Sequence, residues 1–86
     1  MSRIISKSNV DYNSLIVPVI ASFDSKGHIT PLYIRINGES YKIESAYESV
    51  HFLDAITFSC TVVEEGALKP LTVSYHKRQG MWIINL

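Results

Sequence analysis

The chain has 86 residues, a formal net charge of zero and a hydrophobic fraction of 47%. That is one domain with enough apolar residue for a single core, and it excludes the low-hydrophobicity, high-charge composition of a disordered segment. Neutrality also removes the global field that would draw in nucleic acid or an anionic membrane.

Cys60 is the single cysteine. An intramolecular disulfide and a metal site built on cysteine pairs are therefore excluded, and a lone thiol fits a reducing compartment. The longest apolar run, residues 15–21, contains Pro18 and falls far short of the roughly 20 residues that span a bilayer. It follows a polar and charged leader, too late for a signal-peptide core. These features predict a cytoplasmic protein with no membrane association.

Residues 1–14 read as an N-terminal leader, partly ordered, whose apolar pair Ile4 and Ile5 could anchor it on the core. Residues 15–86 read as one β-barrel-like domain. In residues 15–23, Leu15, Val17, Val19, Ala21 and Phe23 share one face of a strand, and Ile16, Pro18, Ile20 and Ser22 the other. A strand apolar on both faces is normally covered on both sides. Pro18 cannot donate a ladder hydrogen bond, so the strand lies at an edge or carries a bulge there. After a turn at residues 24–27, residues 29–36 alternate, with Leu32, Ile34 and Ile36 expected inward and Tyr33 and Arg35 outward. Asn37 and Gly38 form a hairpin signal, because a type I′ turn needs positive φ at both central residues. Tyr41 and Ile43 continue the inward pattern.

Residues 45–55 carry two patterns. Ser45 and Glu48 have capping-box spacing, and Ala46, Val50 and Leu53 have helical spacing. Val50 and Phe52 alternate with Ser49, His51 and Asp54 on strand period. A strand kinked near Leu53 and Asp54 is the preferred reading, with one short helix at 45–55 as the alternative. Residues 56–63 are the clearest strand, with Ile56, Phe58, Cys60 and Val62 on one face. Leu71, Val73 and Tyr75 alternate next, and residues 81–86 form the last strand. The four glycines, Gly27, Gly38, Gly66 and Gly80, all fall at turns. The pattern predicts an all-β fold: a small single-domain barrel or strongly bent antiparallel sheet of SH3-like size.

Residues 18–32, PVIASFDSKGHITPL, together with Tyr41, Lys42 and Ile43 and the closing Gly80, Met81, Trp82 and Ile83, resemble a group of short uncharacterised all-β proteins from Gram-positive bacteria. The shared features are an apolar F-D-x-x-G opening, a Y-x-I strand and a terminal G-x-W strand. The resemblance implies a β-domain and assigns no site.

Chemistry-bearing residues are sparse. Cys60 alternates in phase with Phe58 and Val62, which places it in the core, and free cysteine is among the most buried residue types. His28, His51 and His76 match no metal spacing, and the latter two fall on expected outer faces. Asp24 opens a turn, where an Asx-turn accounts for it. Residues 39–65 hold Glu39, Glu44, Glu48, Asp54, Glu64 and Glu65 against the single base Lys42, a solvated acidic side. Catalytic, cofactor-binding and metal-binding residues are therefore not assigned, and neither an enzyme nor a cofactor is expected.

The apolar residues on both faces of the terminal strands stand out. A small barrel has one inside, and a large exposed apolar patch on a monomer marks an interaction site. The expected surface is Ile16, Pro18, Ile20, Met81 and Ile83, packing against another protein chain, with a homodimer the simplest case. The expected function is a small non-catalytic binding or assembly module. The alternative is a nucleic-acid-binding barrel using Tyr33, Arg35, Tyr75, Lys77 and Arg78.

Overall fold

The structure is a computed structural model and describes residues 14–85. The regular structure of these residues is entirely strand: β1 (Ser14–Val17), β2 (Val19–Phe23), β3 (Ile29–Ile36), β4 (Glu39–Phe52), β5 (Ala55–Glu64), β6 (Ala67–His76) and β7 (Met81–Asn85). The expected leader, apart from Ser14, and Leu86 lie outside the described residues.

The strands form one antiparallel sheet in the order β1-β7-β6-β5-β4-β3-β2. Twist curls it into a half-barrel. The all-β expectation holds in its bent-sheet form. β1 and β2 are one run of chain interrupted at Pro18, yet they sit at opposite ends of the strand order. Val17 still pairs with Trp82 of β7, while Val19 already pairs with Ile34 of β3. The bend at Pro18 thus hands the chain from one edge of the sheet to the other.

The core lies on the concave side. Ile56, Phe58, Cys60 and Val62 of β5 meet Val17, Ile34, Ile43, Val73, Trp82 and Ile84. Trp82 is the hub of an aromatic stack, with ring centroids 5.8 Å from Phe58 and 4.8 Å from Tyr75. Phe23 extends the stack edge-on, 6.2 Å from Tyr75, which brings the end of β2 to β6. Full burial of each large apolar side chain contributes about 1.5–3 kcal/mol.

Local chemistry sets the turns. Asn37 and Gly38 have φ of 52° and 82°, as a type I′ turn requires. A Cβ added at Gly38 would meet nothing within 4 Å, so the cost of Gly38→Ala is a backbone cost alone. We expect about 1–2 kcal/mol of lost stability, read as a lower urea midpoint; an unchanged midpoint would refute the assignment of this turn. At the β2–β3 turn, Asp24 Oδ1 accepts from the backbone N–H of Lys26 at 2.9 Å and of His28 at 2.8 Å. Hydrogen bonding from the His28 backbone, opposed in part by desolvation, holds the Asp24 carboxyl below the ordinary aspartate value.

Two expectations are corrected. The helix alternative at 45–55 is not realised: residues 45–52 pair with β5, and the chain turns at Leu53 and Asp54. Two extra residues, Glu44 and Ser49, interrupt that ladder and mimic helical spacing. Ser49 hydroxyl donates to the Thr57 carbonyl at 3.2 Å, which anchors the second bulge. Leu32 does not point inward and is 38% exposed. Ala21 pairs with Pro31 but Ile20 pairs with Tyr33, so Leu32 is an extra residue that shifts the phase of β3. Pro31 and Ile34 fill the core in its place.

Candidate interaction surface around Pro18

Proline interrupts β1–β2 because it brings no N–H to the ladder. Its carbonyl accepts the Arg35 N–H at 3.1 Å, which fixes the crossing point against β3. Period-two alternation through the bend then puts Ile16, Pro18 and Ile20 in a line on the outer surface. Ile16 is 66% exposed and Ile20 64% exposed. The ladder supplies their neighbours: Ile83 opposite Ile16, and Tyr33 opposite Ile20. Met81 and Ile83 are half-buried on the same face.

Two hollows flank the bend. One, of about 500 Å³, is lined by Ile16, Pro18, Val19, Gly80 and Met81 together with Trp82. The other, of about 180 Å³, lies between Pro18, Ile20, Tyr33, Arg35 and Ser40. Of the five residues expected on the apolar surface, three are therefore exposed, two are half-buried, and all lie around one bend. Tyr33 and Arg35 belong here as well. Their link to Ile20 follows from counting pairs back from the β2–β3 turn, but the Leu32 bulge breaks that count.

The residues named for nucleic-acid contact do not share one face. Tyr33 and Arg35 lie on the outside of β3, while Tyr75 faces inward against Trp82. Lys77 and Arg78 sit at the β6–β7 turn. Lys77 Nζ is 3.1 Å from His51 Nε2, its backbone N–H donates to the Asp54 carbonyl at 2.7 Å, and Arg78 is 3.4 Å from the Asp54 carboxylate. Exposed ion pairs of this kind contribute little to stability.

The remaining reactive groups stay apart. Cys60 is buried, and desolvation pushes its thiol up to about 11. His28 pairs with Asp24 at 3.0 Å. His51 pairs with Ile56, so it stands on the concave side at the exposed rim rather than on the outer face expected for it. His76 is half-buried on the outer face. Among the described residues, no group of three or more His, Cys, Asp or Glu could hold a metal ion. At the far end of the half-barrel, Tyr41 hydroxyl donates to Glu64 at 3.4 Å and Lys69 lies 3.5 Å from the same carboxyl group. Desolvation first, and then the negative charge of Glu64 and Glu39, raises the Tyr41 hydroxyl above its ordinary value. No helix among the described residues is long and apolar enough to cross a membrane.

The fold and this surface define a small all-β half-barrel with an apolar outer seam. No protein-family model, curated protein or solved structure matches the chain.

Proposed function

We propose that the chain is a non-catalytic assembly module of the cytoplasm whose apolar surface around Pro18 packs against another protein chain, in the simplest case a second copy of itself. The observation that carries this reading is the exposed line of Ile16, Pro18 and Ile20, with Met81 and Ile83 beside it. Burial of such side chains is the dominant favourable term in protein association. The buried Cys60 thiol and the separated histidines support a role without nucleophilic chemistry.

The test is solution mass by light scattering across a dilution series. The wild-type chain should be dimeric at high concentration. The double variant Ile16→Ser/Ile20→Ser should dissociate roughly a hundredfold more readily, since each isoleucine removed from an interface forfeits a large part of about 1.5–3 kcal/mol. Both positions are exposed in the monomer, so its own stability should change by only about 0.5 kcal/mol. A wild-type monomer at every concentration would overturn self-assembly.

A further inference from the structure

We infer that the free edge of β2 is the joint of this assembly: two copies pair antiparallel through Val19–Phe23 about a two-fold axis at Ala21. This pairing rests on the self-assembly reading above and specifies its geometry.

The backbone shows which groups are available. Among the described residues β2 ends the strand order, with β3 as its one strand neighbour. The Pro18 carbonyl is bonded to Arg35 of β3, and the Asp24 N–H donates to the His28 carbonyl inside the same hairpin. Strand residues alternate in the direction of their main-chain groups. The extra residue of the β2–β3 ladder is on β3, so β2 itself keeps an unbroken alternation. Pro18, Ile20, Ser22 and Asp24 therefore direct their groups toward β3. Val19, Ala21 and Phe23 direct theirs away from it, to the edge where no strand of the described residues lies.

An open strand edge is a template for another strand, and proteins normally blunt such edges with charge, proline or bulges. The stretch of β4 left uncovered by β3 follows that rule. β4 beyond its pairing with β3 carries Glu44, Glu48 and His51 and two bulges. β2 has no charge, no proline and no bulge of its own. Among the described residues its edge is unguarded, as is the shorter, four-residue edge of β1 at the other end of the strand order.

The occupant follows from symmetry and charge. The three outward-directed residues are placed symmetrically about Ala21, so the edge is complementary to itself under a two-fold rotation, the isologous pattern of most dimers. Ala21 would then face Ala21 of the second copy, and Val19 would face Phe23, each as a pair that exchanges both main-chain hydrogen bonds. Branched–aromatic cross-strand pairs of the latter kind are favourable. The exposed Ile20 would lie beside Ser22 of the second copy. The same rotation carries the acidic end of β2, at Asp24, toward the end where Arg35 meets Pro18. No partner for the Arg35 side chain is found among the described residues. With a formal net charge of zero, two copies approach without overall repulsion.

Two measurements test the pairing. In the wild-type chain, amide hydrogen exchange by NMR should slow at Val19, Ala21 and Phe23 by roughly tenfold or more on going from dilute monomer to concentrated dimer. Ile20 and Ser22, bonded to β3, should be protected in both. Separately, Ala21→Pro removes an N–H that the monomer does not use, as edge strands tolerate. It should weaken the dimer roughly a hundredfold. A dimer in which the three odd-numbered amides exchange as freely as in the monomer overturns the edge pairing and leaves the Pro18 surface as the assembly face. An Ala21→Pro dimer of wild-type affinity does the same. A wild-type monomer at every concentration overturns both.

Discussion

Phe58→Ala is expected to cost about 3–5 kcal/mol of folding free energy. Phe58 is 2% exposed and lies at the centre of β5, between β4 and β6. Its ring is one of the two that flank Trp82. Truncation leaves a cavity that the surrounding strands cannot close, because Ile34, Val73 and Ile84 around it are already fully buried in fixed ladders. A domain of this size has a small margin, in the range of about 5 kcal/mol. The variant should therefore be largely unfolded at room temperature, seen as loss of the near-ultraviolet signal of Trp82 and of the cooperative urea transition. A folded variant with a loss below about 1 kcal/mol would contradict the placement of Phe58 in the core. The exposed Phe52, by contrast, should tolerate the same change with little loss.

Stability should fall as pH rises from about 9 to about 11, and Cys60 should account for part of that fall. Desolvation raises its thiol to about 11 in the folded chain from a reference of 9.0. Between those values the unfolded chain has released the thiol proton and the folded chain has kept it. The unfolded state then binds fewer protons, and the linkage relation gives a negative slope of stability against pH. Below pH 9 both states hold the proton and the contribution is flat. Above about 11 both have lost it and the slope vanishes again. Urea midpoints at pH 8, 9.5 and 11 should decline more steeply in the wild-type chain than in Cys60→Ala. Equal slopes would show that the thiol ionises freely in the fold. A thiol reagent at pH 8 should correspondingly modify Cys60 only as fast as the chain opens.

The apolar seam links these core properties to the proposed assembly. The core stack fixes Trp82, and Trp82 pairs with Val17 just before the bend. Phe23 against Tyr75 fixes the other end of β2. The strand that presents Val19, Ala21 and Phe23 at its edge is thus held at its end by the Phe23–Tyr75 contact and at its start by the Pro18–Arg35 hydrogen bond. A rigid edge forms a joint at a lower entropic cost than a flexible one.

Those parts of the protein that depend on neighbours along the chain were legible in its residues. Period-two alternation placed Ile56, Phe58, Cys60 and Val62 inward, because a pleated strand leaves no other choice once one face is apolar. The positive φ at Gly27, Gly38, Gly66 and Gly80 belongs to turns that glycine makes possible. The missing N–H of Pro18 marked an irregularity within residues 15–23, which the tertiary structure makes a break between β1 and β2. The same alternation put Ile16, Pro18, Ile20, Met81 and Ile83 on the face opposite the core, where three are exposed and two half-buried. The remaining features depend on contacts distant in sequence. Helical and strand spacing were both present in residues 45–55, and the ladder partners on β5 selected the strand by absorbing Glu44 and Ser49 as bulges. The extra residue at Leu32 turned that side chain outward and set Tyr33 beside Ile20, a pairing that no local pattern encodes. The curl of the sheet sent Tyr75 inward, away from Lys77 and Arg78. It also left β2 without a second neighbour among the described residues, because strand order is fixed by which faces bury together and not by the alternation within any one strand.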